Sequence, residues 1–302
     1  MTTRTDSKPD HAEVTRGDPP GLRDIPFELP KKSAGEKHRA GRIYADLERR
    51  YADAHCELCY SSPHELLIAT ILSAQATDAG VNKATPALFA RFPTARDYAK
   101  STPEEIEPYV RSLGFFRNKS RAVHEAMRSV VEEFGGEVPR TMEGLLSLRG
   151  VARKTANVVL GNAFGINEGV PVDTHVIRLS RLYALAPADA SPQEIEKHLM
   201  ALFPRENWCM LSHLLIWHGR RCSTARTRPE DDPVWVKHCK GVKPPALIKG
   251  ASRKKAKKKA AKKKSARKKS AARKKQAGRK ASRTATKKRA TPARKKPARR
   301  GR

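Results

Sequence analysis

The stretch LLSLRGVARKTANVVLGNAFG, residues 145–165, decides the fold of this chain. It joins the apolar end of one predicted helix to a second predicted helix, residues 153–164, through a short turn at residues 150–152. The first backbone N–H groups of a helix have no partner within it and lie at the positive end of its dipole, so such a turn can bind a phosphate. From this pattern alone we expect a helical hairpin in which Lys154 is either solvated or in contact with a phosphate.

Helical signals continue on both sides of this hairpin. Residues 64–75 form an apolar run long enough for a buried helix. Residues 117–134 repeat apolar side chains four apart until a pair of glycines ends the pattern. Capping boxes predict helix starts at Pro103 and Pro192. Because no strand pair or hairpin turn is evident, the sequence predicts an all-α fold, and it shows no internal repeat.

The charge of the chain is concentrated at one end. The 302 residues carry a formal net charge of +32, and residues 251–302 hold 27 Lys or Arg and no acid, which leaves residues 1–250 at only +5. A near-neutral body with a polycationic end favours a polyanionic partner. Residues 1–35 are rich in proline, and the polybasic tail, residues 243–302, is rich in like charges. We predict that both segments are disordered, since neither can bury enough apolar surface to fold.

Cysteine content and hydropathy exclude several classes of protein. Five cysteines, an odd number spread along a long chain, argue against a disulfide scaffold and for a reducing compartment. No apolar stretch approaches the roughly 18 residues of a membrane span, and the N-terminus does not resemble a secretory signal. We therefore expect an intracellular protein with no membrane partner.

Several motifs together resemble one enzyme family. LRGVARKTANVVL, followed by PVDTHVIRLSRL at residues 171–182, resembles the helix-hairpin-helix and Gly/Pro-rich-Asp signature of the endonuclease III family of DNA glycosylases. The stretches LLIATILSAQATDAGVNKA (66–84), LGFFRNKSRAV (113–123) and LLIWHGR (214–220) follow in that family's order. The resemblance covers residues 38–242, which is nearly the whole predicted folded body.

The resemblance implies a fold of two α-helical lobes with DNA lying across the cleft between them. A six-helix lobe containing the helix-hairpin-helix would span residues 64–166. The second lobe, which carries an iron–sulfur cluster in most members, would combine residues 36–63 with residues 167–242. The two predicted disordered segments would flank these lobes.

The resemblance assigns Lys154 as the nucleophile and Asp173 as its acidic partner. A glycosidic bond to a damaged pyrimidine breaks through an oxocarbenium-like sugar, which a carboxylate stabilises. An amine that attacks C1′ forms a Schiff base, and this iminium acidifies the 2′ hydrogens, so that the 3′ phosphate leaves by β-elimination. Asp173 also stands where a helix N-cap is expected, and the two roles are compatible because a cap fixes where the carboxylate points.

Further residues are implied as contacts to DNA. Gln75 would fill the gap left by a flipped-out nucleotide, and Phe115 would act as an apolar wedge, since a glycosylase must extrude the base. Taken alone, Gln75 is as well explained as a helix-end amide in a polar turn, and Phe115 as part of a core aromatic pair. Ala152 stands where the family usually has glycine, which would strain the turn if its φ were positive. The remaining predicted contacts are Gly150, Val151, Ala152, Arg153, Thr155 and His175.

The cysteines depart from the family pattern. In most members four cysteines spaced C-x6-C-x2-C-x5-C after the HGR motif bind a 4Fe–4S cluster, and here those positions fall on Ser223, Glu230, Pro233 and Cys239. Four cysteine ligands are not available in this loop, so we predict that the cluster is absent and that no metal is bound. An alternative site, made by the CxxC pair at residues 56–59 with Cys222 and Cys239, would need a contact that the sequence does not establish.

These features predict a monomeric, bifunctional DNA glycosylase and abasic-site lyase of base excision repair. It would remove oxidised pyrimidines from double-stranded DNA and nick the strand 3′ to the abasic site, while residues 243–302 bind DNA non-specifically. One alternative is a non-catalytic DNA-binding or DNA-compacting protein that uses the basic tail, and another is a folded but inactive relative. We expect a DNA-associated protein of a bacterial cytoplasm or nucleoid, with a nucleus as the alternative.

Overall fold

The computed structural model describes residues 25–243, which contain twelve α-helices and no β-strand. The prediction of an all-α fold is therefore confirmed. The helices are α1 (Ala34–Arg50), α2 (Pro63–Leu72), α3 (Asp78–Arg91), α4 (Ala95–Lys100), α5 (Pro103–Val110), α6 (Phe116–Phe134), α7 (Met142–Ser147), α8 (Arg153–Phe164), α9 (Thr174–Leu182), α10 (Pro192–Leu202), α11 (Trp208–Arg221) and α12 (Pro233–His238). Two short 3-10 helices, Arg205–Asn207 and Pro229–Asp231, precede α11 and α12.

Several helix ends follow the sequence signals. Thr102 and Ser191 form complete capping boxes at the starts of α5 and α10. Gly135 ends α6 in the left-handed conformation, at φ 66°, where a residue without a Cβ has no steric cost. These predictions are confirmed because capping depends only on residues a few positions apart.

The apolar run at residues 64–75 forms α2, but the helix ends three residues early, at Leu72. Residues 66–72 are all buried, so the prediction of a buried helix is confirmed. Beyond the helix, the N–H of Ala76 donates to the carbonyl of Ser73 across 3.1 Å, and Gln75 has a φ of 54°. A residue in the left-handed conformation cannot continue a right-handed helix, so the polar end of the run becomes the turn before α3.

Helices α2 to α8 enclose the first of two cores. Its largest fully buried side chains include Phe92, Tyr98 and Leu66. These helices number seven, where the resemblance implied six. Leu58 also packs into the first core, although it belongs to the segment that the resemblance placed in the second lobe.

Helices α1 and α9 to α12 enclose the second core, in which Trp208 is fully buried. Ile25, Phe27 and Leu29 pack against this core, and α1 begins at Ala34. The prediction of disorder is therefore wrong for residues 25–35. The physical reason is that alternate apolar residues in this short segment gain burial against a core that local sequence does not reveal.

Helices α8 and α11 join the two cores. Gly161 in α8 lies so close to α11 that a Cβ there would be 2.7 Å from the Cys209 Sγ. Nearby, Nε2 of His213 donates to the side-chain oxygen of Asn162 across 2.8 Å. Burial lowers the pKa of His213 to about 4, so the ring is neutral at physiological pH and makes this bond without a charge.

None of the helices within residues 25–243 is both long enough and apolar enough to cross a membrane. Residues 1–24 and 244–302 lie outside the described part of the chain. The predictions of disorder for those residues, and the DNA-binding role of the polybasic tail, stay predictions.

Candidate active site

The hairpin turn leads into a helix that no side chain caps. Gly150 takes the left-handed conformation, at φ 80°, and the N–H of Val151 donates to the carbonyl of Leu148. Ala152 is the N-cap residue of α8, at φ −102°, and it makes no side-chain cap bond. The strain considered for a non-glycine residue at this position is absent, because the positive φ falls on Gly150.

Lys154 and Asp173 lie at the starts of two helices that pack in different cores. Lys154 is the second residue of α8, and its side chain is exposed. Asp173 is the N-cap of α9, and its Oδ1 accepts the N–H of Val176 across 2.8 Å. The N-cap interpretation of Asp173 is confirmed, and the cap bond fixes the direction of its carboxylate.

Asp78, the first residue of α3, lies within electrostatic reach of both Lys154 and Asp173. Burial raises the pKa of its carboxyl group, Asp173 raises it further, and Lys154 and His175 lower it. Asp78 is thus within electrostatic reach of three residues that the sequence analysis selected from two motifs, Lys154 from the first and Asp173 and His175 from the second.

A cleft of about 670 Å³ is lined in part by Asp78 and His175. Nη2 of Arg220 donates to the Asp78 carboxylate across 2.6 Å, and the same guanidinium pairs with Glu57. This pairing ties α11 to the start of α3 across the cleft. The cleft lies in the range of roughly 300–1,000 Å³ that is typical of ligand sites. Its walls include His55, Glu57, Thr77, Asp78, His175 and Trp217.

Gln75 and Phe115 are both exposed residues in strained backbone conformations. Gln75 stands in the turn between α2 and α3 with a φ of 54°. Phe115 precedes α6 with a φ of 60°, and 64% of its surface is exposed, so it is not a core residue. The core interpretation of Phe115 is wrong, and both side chains project where a ligand can reach them.

The other predicted DNA contacts differ in their access to solvent. Gly150 and Ala152 are exposed, whereas Val151 and Thr155 are buried. The half-buried Arg153 is engaged inside the protein, where its Nε donates to Glu196. His175 is also half-buried, and a Cβ at Gly219 would lie 2.8 Å from its Nδ1. The DNA-binding role of these residues stays a prediction.

The residues at the family's cluster positions do not fit a 4Fe–4S group. Pro233 has no donor atom for a metal and begins α12, and Ser223 is fully buried. Across residues 25–243, which include all five cysteines, no three His, Cys, Asp or Glu side chains are grouped to hold a metal. The alternative site that combined the CxxC pair with Cys222 and Cys239 is therefore not formed.

A buried polar network occupies the loop that would carry the cluster. Asp232 has no exposed surface and accepts hydrogen bonds from the N–H groups of Val234 and Trp235, from the Tyr183 hydroxyl at 2.8 Å and from His218 Nε2 at 3.2 Å. Burial alone would raise the pKa of Asp232, but the bonds from His218 and Tyr183 hold it well below its ordinary value. The carboxylate is thus ionised and fastens this loop to α9 and α11.

Sequence analysis missed Asp78 and Arg220 as members of the site. Asp78 looks like an ordinary acid in the first turn of a helix, where the dipole favours it. Arg220 belongs to the HGR motif, which served above as a marker of family order and as the reference for the cysteine positions. The HGR motif was the signal in the sequence for Arg220. Sequence spacing does not reveal that Asp78 lies across the cleft from it.

The chain is similar to known proteins in sequence. Residues 68–205 match the model of the HhH-GPD superfamily of base excision DNA repair proteins. The endonuclease III of Synechocystis sp. is 52% identical over 198 residues, which cover 66% of this chain and 90% of that protein.

Solved structures give the same result. A non-covalent endonuclease III–DNA complex matches with a TM-score of 0.64 and 40% identity, covering 67% of this chain and 94% of that chain. A trapped covalent endonuclease III–DNA intermediate, an estranged-adenine complex, matches with a TM-score of 0.63 and 41% identity, covering 66% and 93%. The chain therefore belongs to the endonuclease III family of base excision DNA repair proteins.

Proposed function

We propose that this protein is a bifunctional DNA glycosylase and abasic-site lyase with Lys154 as nucleophile and Asp173 as acidic partner. The observation that carries the proposal is that Lys154 stands exposed at the uncapped start of α8, while the cap bond from Val176 fixes the Asp173 carboxylate at the start of α9, a helix of the other core. Both groups lie within electrostatic reach of the half-buried carboxyl group of Asp78. Membership in a family of base excision repair proteins supports the same activity.

The proposed reaction uses an exposed amine beside a fixed carboxylate. The neutral Lys154 amine attacks C1′ while the bond from C1′ to the damaged base breaks, and the base leaves with the bonding electron pair and takes up a proton. The Asp173 carboxylate stabilises the positive charge that develops on the sugar. The C1′–O4′ bond then breaks, O4′ takes up the proton that the attached amine loses, and the opened sugar is held as an iminium. This iminium acidifies C2′, and loss of a 2′ proton expels the 3′ phosphate.

A solved relative supports covalent chemistry. The matched endonuclease III structure that is a trapped covalent DNA intermediate shares 41% identity with this chain. We infer the same kind of bond here, to Lys154, on double-stranded DNA that contains oxidised pyrimidines or abasic sites. The cleft beside Asp78 would receive the extruded nucleotide.

The uncapped start of α8 is the proposed phosphate site. Its N-cap residue, Ala152, makes no side-chain bond, so the helix dipole and the first N–H groups are available to an anion. Gln75 and Phe115 would enter the duplex from their exposed turns. We further propose that the protein acts as a monomer, associated with DNA inside the cell, and without an iron–sulfur cluster.

The decisive experiment is reduction with borohydride in the presence of duplex DNA that contains thymine glycol or an abasic site. We expect a covalent adduct with the wild type, none with Lys154→Ala, and a much slower reaction with Asp173→Asn. Asparagine is as good an N-cap as aspartate, so the second variant removes the charge while keeping the helix start. Circular dichroism of both variants serves as the folding control.

The main alternative is a non-catalytic DNA-binding protein that relies on the 27 basic residues between positions 251 and 302. Such a protein would bind undamaged and damaged duplexes alike and would form no adduct. Absence of an adduct with folded wild-type protein, together with tight salt-sensitive binding, would favour this alternative. If the folded protein forms no adduct and also does not bind DNA tightly, it is an inactive relative.

A further inference from the structure

Arg153, the residue directly before Lys154, is bound inside the protein. Its Nε donates to both carboxylate oxygens of Glu196, across 2.9 and 3.0 Å, and its Nη2 donates to the carbonyl of Glu168 across 3.1 Å. Glu196 lies in α10 and is only 5% exposed. The ion pair therefore joins the first turn of α8, which packs in the first core, to a helix of the second core.

Two further contacts fix the position of the Glu196 side chain. Nδ2 of Asn157, one turn along α8, donates to Glu196 Oε1 across 2.8 Å. A Cβ at Gly169 would overlap the same Oε1 and would lie 2.7 Å from the Asn157 Nδ2. Only glycine fits at this point, because the carboxylate and the amide approach the backbone directly. We call these four residues, Arg153, Asn157, Gly169 and Glu196, the interlobe clasp.

The clasp also holds the chain that leads to Asp173. Residues 165–173 connect α8 to α9. The clasp contacts this connection through the hydrogen bond from Arg153 to the carbonyl of Glu168 and through the close packing of Gly169 against Glu196. Two residues further on, the carbonyl of Pro171 accepts a hydrogen bond from Ser212 across 2.7 Å. The clasp is thus one residue from Lys154 on one side and four residues from Asp173 on the other.

We propose that the interlobe clasp sets the position of Lys154 relative to Asp173, and that Arg153 and Glu196 are positioning residues rather than contacts to DNA. The proposal rests on the function proposed above. The two reacting groups come from different cores, so only contacts between the cores can fix their separation. Displacing a reacting group by about 1 Å can cost on the order of 100-fold in rate, which makes such a contact matter.

This proposal replaces the sequence-based role of Arg153 as a DNA contact. A phosphate could recruit its guanidinium only by breaking the bifurcated hydrogen bond from Nε to a buried carboxylate, which would leave Glu196 without its cation. The guanidinium also lies 5.1 Å from the ring centroid of Phe27, which covers it on another side.

Two variants test the clasp in different ways. Glu196→Gln removes the charge with little change of shape, and Gly169→Ala displaces the carboxylate without changing any charge. Glu125→Gln is the matched control, because Glu125 pairs with Arg149 across 2.6 Å within the first lobe and joins no two cores. Arg153→Lys, which keeps the charge but loses the fork of donors, completes the set and keeps the test valid if another variant fails to fold.

Each full-length variant is assayed for two quantities. The first is the rate of borohydride-trapped adduct on an abasic-site duplex at saturating enzyme, and the second is the affinity for a duplex with an unreactive abasic analogue at several salt concentrations. We expect Glu196→Gln and Gly169→Ala to lose about 10- to 100-fold in trapping rate. Their affinity should stay within about threefold of the wild type, and the control should match the wild type in both quantities.

The outcomes distinguish a failure of the clasp proposal from a failure of the proposed function. If the wild type forms no adduct, the proposed function is wrong and the clasp has no catalytic role. If the wild type reacts and both variants react at the same rate, the clasp proposal alone is wrong. If Arg153 binds a phosphate, Glu196→Gln should free it and strengthen binding, and Arg153→Lys should leave the trapping rate unchanged; that pattern would also overturn the clasp.

Discussion

Within residues 25–243 three residues other than glycine have a positive φ, and two of them are the ones predicted to enter DNA. Gln75 and Phe115 have φ values of 54° and 60°, and the third, Ala184, has 50°. The left-handed conformation costs an L-residue roughly 1–2 kcal/mol. Ala184 is buried and its carbonyl accepts a hydrogen bond from Arg39, so packing accounts for that residue, whereas Gln75 and Phe115 are exposed. Strain kept at an exposed side chain is typical of a functional position.

We predict that Phe115→Gly raises the free energy of unfolding and lowers the rate at which the protein processes a damaged base. Glycine relieves the backbone strain, so we expect the free energy of unfolding to rise by up to about 1 kcal/mol, because the exposed ring contributes little burial. Loss of the wedge should lower the rate of processing of a damaged base in duplex DNA. Urea denaturation and single-turnover cleavage measure the two effects.

Ala184→Gly is the matched control for this experiment, because it relieves the same kind of strain away from the cleft. It should leave the cleavage rate unchanged. Full cleavage activity in Phe115→Gly would contradict the role of Phe115 as a wedge.

At the scale of elements, the loop between α11 and α12 is organised around one buried carboxylate. Asp232 caps α12 through two backbone N–H groups and binds Tyr183 at the end of α9 and His218 in α11. His218 Nδ1 in turn lies 2.9 Å from the Tyr51 hydroxyl at the end of α1. Asp232 thus connects α12, α9 and α11, and His218 extends the network to α1, in a loop whose residues do not fit the family's cluster.

We therefore predict that Asp232→Asn is strongly destabilising. Substituting one member of a buried charged network leaves donors facing an amide N–H, and we expect a loss on the order of 3 kcal/mol in the free energy of unfolding. Hydrogen exchange should rise in residues 222–239. Chemical denaturation and exchange mass spectrometry measure both.

The neighbouring Asp231→Asn provides the control, since Asp231 is exposed and pairs only with Arg228 on the surface. We expect little change in the free energy of unfolding there, because solvent screens an exposed ion pair. Equal stability of the two variants would show that the Asp232 network does not hold the loop.

At the scale of the whole molecule, the chain divides into a catalytic body and a region of very high positive charge. Residues 1–250 carry a net charge of +5, whereas residues 251–302 hold 27 basic side chains and no acid. The cleft of the body lies between two cores, and the basic region lies outside the described residues. Because basic side chains bind the DNA backbone without regard to sequence, we propose that this region raises association with undamaged DNA.

Removing residues 249–302 should flatten the salt dependence of DNA binding while leaving single-turnover cleavage at saturating enzyme nearly unchanged. A tail of the same composition in scrambled order should restore the salt dependence, since the attraction depends on charge and not on sequence. A large loss of the single-turnover rate on truncation would show instead that the tail belongs to the active site.

Local sequence patterns are sufficient to predict the helical class, the capping boxes, the end of α6 at Gly135 and the hairpin before Lys154. These features depend on residues a few positions apart in the chain. Short-range sequence patterns are therefore enough to predict them. Tertiary packing alone pairs Arg220 with Asp78, brings Asp78 within electrostatic reach of Lys154 and Asp173, and turns Arg153 to Glu196 rather than to solvent. Those partners lie tens of residues apart in the chain, and they meet because two separately packed cores bring α3 against α11 at the cleft and α8 against α10 at the interlobe clasp.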